Sequence, residues 1–497
     1  MGILNDKLNE YGSSDFYPYH MPGHKRREVE GFPRQVTNLD ITEIADFDNL
    51  HQAQGLILKA QQSVARAYGV EESFFLINGS TCGILSAISA AVPFGGHLLI
   101  ARNCHKSVYH GAYLRQLKLS YIYPQVNKMF DICEAVTPKQ VEEMLLADES
   151  IQAVLIVSPT YEGRIADVRG IAEVVHSKGI PLIVDEAHGA HLGFDKDFAT
   201  NSGRLGADLV INSVHKTLPA MTQTALLHCS GTLINRDKLK QFLHIYQSSS
   251  PSYIMMASIE QAVQTAVQKK ELFKLFKERW SELHKKLQGL QRIKVLYEEP
   301  ERKSHDMGKL IISTKGTKLS GKQLSDMLRQ KYHLEMEMAC ETYVLAMFTI
   351  ADTLEGYERL ARALLEIDAG LEQSGVKLTD ETGERGFVEE AMEENRQQLA
   401  DQPSAVEGLE QSTKGIPLFQ AWDGEKEAVP LAQAQGRITG EFINLYPPGT
   451  PIAVPGERVN AAMIRQICNC LKCGLEIQGL HKDTQGGYAN ICCLKEV

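Results

Sequence analysis

The chain has 497 residues, 43% hydrophobic and 23% charged, with a formal net charge of −10. That length supports about two to four domains around sizeable cores, and the negative balance excludes nucleic acid as the main partner. Ten cysteines scattered over such a chain read as reduced thiols of a cytoplasmic protein rather than as a secreted disulfide framework.

No basic stretch followed by an apolar core opens the sequence, so no signal peptide is expected. Residues 1–50 read as an irregular arm. Within it Tyr17-Pro18-Tyr19-His20-Met21-Pro22-Gly23-His24-Lys25-Arg26 carries two prolines and a glycine without helical period, which predicts an extended loop. Such a loop is either a binding edge or an arm packed at a subunit contact. A helix is expected over 56–68, where apolar residues recur at helical spacing.

Phe74-Phe75-Leu76-Ile77 reads as a strand, followed by Asn78-Gly79-Ser80-Thr81-Cys82-Gly83 and an apolar helix from Ile84. Backbone N–H groups and the hydroxyls of Ser80 and Thr81 then meet the positive end of a helix, which suits an anion such as a cofactor phosphate. A plain N-cap would look the same. No P-loop and no dinucleotide glycine fingerprint occurs, so a nucleotide is not suggested. The least polar window, 82–101, contains Pro93, Gly95, Gly96 and His97 and reads as helix, turn and strand rather than as a membrane span.

The strand Leu98-Leu99-Ile100 delivers His105 at its end, where an imidazole either stacks on a flat cofactor or serves as a structural hydrogen-bonder. Residues 153–157 form the next strand and lead into Ser158-Pro159-Thr160-Tyr161-Glu162-Gly163. A helix follows over 168–178. Residues 180–184 then place Asp185 at a strand end, and 207–212 place Lys216 just past the next. Strands alternating with helices from 74 to 227 are the pattern of a mostly parallel, doubly wound sheet, whose ligands collect outside the carboxyl ends.

A lysine after a strand is ordinarily a surface residue. Burial beside a histidine instead lowers its pKa and makes it a nucleophile toward carbonyls. With a carboxylate on the neighbouring strand end, it suits a pyridoxal phosphate site: lysine for the Schiff base, carboxylate for the pyridine nitrogen.

After Leu227 a polar linker is expected, then Gln247-Ser248-Ser249-Ser250-Pro251-Ser252-Tyr253 and one long helical section over 254–290. Residues 294–370 mix strands (309–313, 344–348) with helices (321–331, 354–371). Residues 380–411 are acidic and low in aromatics, the composition of a linker or solvated face. Of the terminal cysteines only Cys470 and Cys473 have ligand-like spacing, and no metal is assigned. The domains are therefore drawn as an N-terminal arm (1–50), a pyridoxal-phosphate-binding large domain (51–293), a small α+β domain (294–375) and a C-terminal domain with an acidic linker (376–497).

Six stretches, in this order, carry a resemblance: Pro22-Gly23-His24, Asn78-Gly79-Ser80-Thr81, Cys104-His105-Lys106-Ser107, Asp185-Glu186-Ala187-His188, Ser213-Val214-His215-Lys216-Thr217, and Tyr446-Pro447-Pro448-Gly449 through Pro455-Gly456-Glu457. Together they resemble the ornithine/lysine/arginine decarboxylases, in the short form close to biosynthetic arginine decarboxylase. The resemblance implies fold type I of the pyridoxal-phosphate enzymes, the aspartate aminotransferase-like α/β fold, with pyridoxal 5′-phosphate as cofactor. By it Lys216 is the Schiff-base lysine and Asp185 the partner of the ring nitrogen. His105 stacks on the ring, and Ser80, Thr81, Ser213 and His215 hold the phosphate. Thr160 and His188 lie near the phenolic oxygen. Ser249 and Ser250 would complete the partner subunit's phosphate site in a homodimer or higher homo-oligomer with shared active sites, and Glu457 would help frame the substrate entrance.

The implied reaction is decarboxylation of a basic L-amino acid, arginine to agmatine and CO2 for polyamine synthesis, with lysine or ornithine as alternative substrates. Lys216 or His215 would reprotonate the α-carbon. Loss of CO2 is easier from an apolar pocket than from a salt bridge, and Tyr343-Val344-Leu345-Ala346-Met347-Phe348-Thr349-Ile350 carries no arginine clamp, although Arg359 and Arg362 lie just beyond. An aminotransferase or carbon–carbon lyase of the same fold stays open, as does a non-catalytic pyridoxal-binding regulator.

Overall fold

The computed structural model describes residues 2–27, 34–298, 302–373, 415–445, 449–482 and 488–495. Two expectations, the acidic linker over 380–411 and the Tyr446-Pro447-Pro448 stretch, lie outside the described residues.

The first strands are β1 (Glu72–Leu76), β2 (His97–Ala101), β3 (Lys118–Ile122), a hairpin of β4 (Val126–Asn127) and β5 (Ile132–Cys133), β6 (Ala153–Val157), β7 (Leu182–Asp185), β8 (Leu209–Ser213) and β9 (Ala225–Cys229). Seven of them form one sheet in the order β1-β9-β8-β7-β6-β2-β3. All run parallel except β9, which is antiparallel to both neighbours. β7 and β8 bury every residue, as strands covered on both faces must. Alternation along β1 and β9 shows the two faces: Phe75 and Leu226 enter one apolar core, Leu76 and Leu227 the other. The mostly parallel, doubly wound sheet expected from the sequence is thus present.

The arm is not irregular throughout. Ile3–Gly12 is a helix whose Leu4 and Leu8 are buried in the first core. Its free N–H groups are capped from a distance, since Glu260 accepts from Ile3 N and Leu4 N, both at 2.8 Å, so no local capping residue announces it. Arg26 closes the other end by donating to Tyr11 O (2.8 Å) and Gly12 O (2.7 Å).

Three further expectations shift. The helix expected from Ile84 begins at Gly79, because small and hydroxyl residues that read as a turn are also good helix openers. Gly83 lets it settle on the sheet: a Cβ there would stand 2.6 Å from Leu76 Cδ1 and 3.1 Å from Ile211 Cγ2. The polar stretch after β9 holds a helix, Arg236–Tyr246. The long helical section is two helices, Tyr253–Gln268 and Lys270–Leu287, broken at Lys269 (φ −102°, ψ 66°).

β10 (Lys294–Val295), β11 (Lys309–Ser313), β12 (Met338–Ala339) and β13 (Tyr343–Met347) form an antiparallel sheet ordered β10-β11-β13-β12, with helices Gly321–Tyr332 and Leu354–Gln373. This unit is tied to the large sheet through Asp306 N to Gly163 O (2.8 Å) and Ile165 N to Ser304 O (2.9 Å). That contact brings the start of β11 to the carboxyl edge of the large sheet.

The C-terminal unit has its own core. Its strands are β14 (Lys426–Pro430), β15 (Ile443–Leu445), β16 (Thr450–Ala453), β17 (Ile477–Gln478), β18 (Leu480–Lys482) and β19 (Tyr488–Leu494), arranged as β14-β19-β18 and β16-β15-β17 beside the helix Ala461–Lys472. No helix among the described residues is long and apolar enough to cross a membrane.

Candidate active site

β7 and β8 are parallel neighbours, so their carboxyl ends open on the same edge. β7 ends in the buried Asp185. β8 ends in Ser213 and turns into a one-turn helix, Val214–Thr217, that presents Lys216. The two groups feel each other. Burial pushes the Asp185 carboxyl up and Lys216 pulls it back, while burial pushes the Lys216 amine down and Asp185 raises it. Asp185 also accepts from Ala187 N at 3.2 Å.

Two histidines flank the amine. His188 Nε2 is 3.0 Å from Lys216 Nζ, and its ring packs edge-on against Tyr161, centroids 4.6 Å apart. Burial, then Lys309 and Lys216, holds His188 well below the usual histidine range. His105 N-caps the helix Lys106–Leu114, its Nδ1 accepting from Ser107 N at 3.2 Å. Burial, then Lys216, brings His105 down to about 4, so its ring is neutral.

The anion-binding features expected at Ser80, Thr81, Ser213 and His215 are pinned to one template. Gly79 N donates to Gln223 O (3.0 Å) and Val214 N to Thr224 O (3.1 Å), and His215 Nδ1 donates to the same Thr224 O (2.9 Å). Ser80 and Thr81 lie in the first turn of the helix Gly79–Ala91. Asn78 gives that turn no side-chain cap; its Oδ1 accepts instead from Ser248 N at 3.1 Å. The plain N-cap by Ser80 or Thr81 is therefore not what forms. Ser213 Oγ and Thr217 Oγ1 are buried without a hydrogen-bond partner. Buried hydroxyls are normally satisfied. Two orphaned hydroxyls beside an uncapped helix start, a low-pKa lysine and a facing carboxylate fit pyridoxal phosphate.

The remaining expected residues divide. Thr160 is buried, but its Oγ1 accepts from Arg164 N at 3.1 Å within its own turn. Ser249 and Ser250 are exposed in the turn that touches Asn78 of the same chain. Glu457, expected at the substrate entrance, is placed against Arg102. It is buried and holds Arg102, Nη2 to Oε2 at 2.8 Å and Nε to Oε1 at 3.1 Å, because a buried guanidinium requires a carboxylate. Cys470 is buried in the C-terminal core and Cys473 caps its helix. In that unit one side-chain ligand atom each of Glu441, His481 and Cys492 lies within 4.8 Å of the others, with His481 Nε2 bonding both Glu441 (3.0 Å) and Cys492 (3.2 Å).

Sequence reasoning missed Lys309. It heads an apolar strand, where a lysine reads as an exposed strand end, yet it is wholly buried with Nζ 2.7 Å from His188 Nδ1. Burial brings its amine down to about 8. Glu337, whose carboxylate takes the Tyr161 hydroxyl, also raises both Lys216 and Lys309. Arg359 is spent elsewhere, donating to Tyr332 O (2.8 Å) and His333 O (3.0 Å).

Residues 4–303 match the Orn/Lys/Arg decarboxylase major domain and residues 418–493 the Orn/Lys/Arg decarboxylase C-terminal domain. An arginine decarboxylase of Bacillus subtilis is 28% identical over 96% of this chain and 95% of its own. An uncharacterized protein of the same organism, YaaO, is 32% identical over 96% and 95%. The constitutive lysine decarboxylase of Escherichia coli superposes with a TM-score of 0.81 at 20% identity, covering 100% of this chain and 82% of that one. The last likeness shows the fold, the fold type I of pyridoxal-phosphate enzymes.

Proposed function

The chain belongs to the Orn/Lys/Arg decarboxylase family, and from that premise we propose that it decarboxylates L-arginine to agmatine and CO2 with pyridoxal 5′-phosphate as cofactor. The family is one of pyridoxal-phosphate-dependent decarboxylases of basic amino acids. One observation carries the assignment of the site: a half-buried lysine and a buried carboxylate on adjacent strand ends, each shifting the other's ionisation.

When bound, pyridoxal phosphate supplies an aldehyde and an electron sink for the pair left behind by CO2. Lys216 would hold the aldehyde, its amine kept nucleophilic by burial. Asp185 would keep a proton on the pyridine nitrogen. His105, neutral, would lie flat on the ring. Ser213, Thr217, His215 and the uncapped turn at Ser80 and Thr81 would receive the phosphate. His188 would face the phenolic oxygen, with Thr160 beside it in the loop that carries Tyr161.

Three arginines that could be considered as a substrate clamp are already engaged: Arg102 by Glu457, Arg164 by Glu134 and Glu298, and Arg359 by carbonyls. That leaves none of them to clamp an α-carboxylate, which favours its loss as CO2 over transamination. Glu337 offers a carboxylate to the distal cation of the substrate.

Arginine is favoured by the near-full-length likeness to the Bacillus arginine decarboxylase, and agmatine is a precursor suited to polyamine synthesis. Lysine and ornithine remain the competitors. Exposed Phe16, Tyr17, Tyr19 and Met21 on the arm support a homodimer or larger homo-oligomer with shared sites, acting in the cytoplasm. Incubating the protein with each of the three amino acids and measuring CO2 and the amine product tests the reading. CO2 from arginine well above the other two is expected; a keto acid without CO2 overturns it.

A further inference from the structure

We propose that Lys309 is a positioning residue that fixes the tautomer of His188, so that the imidazole presents its single N–H from Nε2 to the nitrogen of Lys216. The proposal rests on the role assigned to Lys216 above and adds a residue that the reaction scheme did not use.

Three nitrogens stand in a row: Lys309 Nζ, 2.7 Å from His188 Nδ1, and His188 Nε2, 3.0 Å from Lys216 Nζ. A lysine ammonium has three donors and no acceptor. A neutral imidazole can accept from only one of the two amines, and the shorter approach, 2.7 Å against 3.0 Å, makes Nδ1 the acceptor and Lys309 the donor. His188, buried between two amines, carries one proton rather than two, and that proton is left on Nε2. Nε2–H then points at the Lys216 nitrogen, which accepts only as a free amine. A hydrogen bond donated to the neutral form favours that form. Lys309 thereby favours the free-amine form of Lys216 through an intermediary.

The surroundings hold this arrangement. His305 Nε2 donates to Lys309 O (3.0 Å), and Asp306 accepts from His191 Nε2 (2.9 Å) and Gly308 N (2.9 Å). Gly163 (φ +101°) leaves room for the lysine stem. A Cβ there would stand 2.8 Å from both Lys309 Cβ and Cγ and 2.9 Å from His305 Cε1, so the loop can press against β11 only as glycine. The groups whose charge reaches Lys309 are Asp306, Glu337 and Glu162, which oppose it, and Lys216, which repels it.

Nitrogen-15 histidine spectra of the full-length, cofactor-free chain test the assignment, His188 being identified by its loss in His188→Gln. Wild type is expected to show a neutral ring protonated at Nε2. Lys309→Met is expected to shift the ring toward the Nδ1–H form and to raise the pH midpoint for acetic anhydride labelling of Lys216, read by peptide mass spectrometry, by about one unit, a tenfold change in free amine. Lys309→Arg, which keeps a charged donor, restores Nε2–H. A wild-type ring protonated at Nδ1 or at both nitrogens overturns the proposal without any variant, and so does a Lys309→Met protein with both readouts unmoved. Borohydride trapping of pyridoxal phosphate on Lys216 is scored separately. Its failure removes the proposed function, whereas the tautomer is read without cofactor.

Discussion

Arg102 and Glu457, 355 residues apart in the chain, form a buried two-toothed ion pair. Arg102 also donates to Pro451 O (2.8 Å) and Ile452 O (3.2 Å), so it fastens the C-terminal unit to the strand end that leads to His105. Breaking such a pair leaves an uncompensated buried charge. Glu457→Gln is expected to cost on the order of 3–5 kcal/mol, and Arg102→Met with Glu457→Leu to recover much of that. Urea unfolding of the single and double variants measures it. Additive losses would refute the coupling.

Ser213 and Thr217 predict opposite effects on two measurements. Removing an orphaned buried hydroxyl relieves a desolvation penalty in the empty protein. Ser213→Ala and Thr217→Val should therefore leave the cofactor-free melting temperature equal or higher while weakening pyridoxal phosphate binding about tenfold each, the loss of one hydrogen bond to a charged group. Fluorescence titration beside calorimetry separates the two. Unchanged affinity removes these hydroxyls from the phosphate site.

Lys216→Ala is expected to abolish borohydride trapping of the cofactor and to lower turnover by at least ~10³-fold. Asp185→Asn should keep trapping yet lose on the order of 100-fold in turnover, since the amide cannot hold a proton on the ring nitrogen. A fully active Asp185→Asn would exclude that role.

Glu260 anchors the N-terminal helix from the helix Tyr253–Gln268. Glu260→Ala should cost about 1–2 kcal/mol and release residues 3–12 to fast hydrogen exchange. Gly2→Ala should act in the same direction, because its Cβ would stand 2.5 Å from Glu260 Oε2. Unaltered protection of Ile3 and Leu4 would contradict this.

His228 sets a pH dependence. Buried on β9 and bonded through Nδ1 to Ser73 Oγ at 2.7 Å, it is pushed down to about 3 by burial. Between pH ~6.5 and that value the unfolded chain binds a proton that the folded chain refuses. Wild-type stability relative to His228→Gln should hold above pH ~6.5 and decline by about 1.4 kcal/mol per pH unit below it. Unfolding both proteins at pH 7.5 and 5 checks the slope; a constant difference contradicts it.

The large sheet was legible because parallel strands buried on both faces write themselves as short apolar runs, and strand-end residues follow from them. Asp185, His105 and Lys216 were placed at or just past strand ends this way. What escaped were groups whose environment is built by distant chain. Lys309 looks like a surface lysine until the loop at Gly163 covers it. The helix Ile3–Gly12 has only Leu4 and Leu8 to mark a buried face, and its cap comes from Glu260. Glu457 was assigned by resemblance to the entrance, whereas the buried guanidinium of Arg102 claims it. Sequence spacing reports local periodicity but not which distant partner will satisfy a charge.

The reversed direction of β9 has a consequence for assembly. Because it runs against its neighbours, its leading residues Gln223 and Thr224 arrive at the edge where β1 and β8 finish, and the turns at Gly79 and Val214 both bond to them. A nascent chain halted before residue 223 contains Ser80, Thr81, Ser213 and Lys216 in full yet lacks the two carbonyls that hold Gly79 N and Val214 N. The proposed phosphate site is thus complete only once the last strand of the sheet lies between β1 and β8.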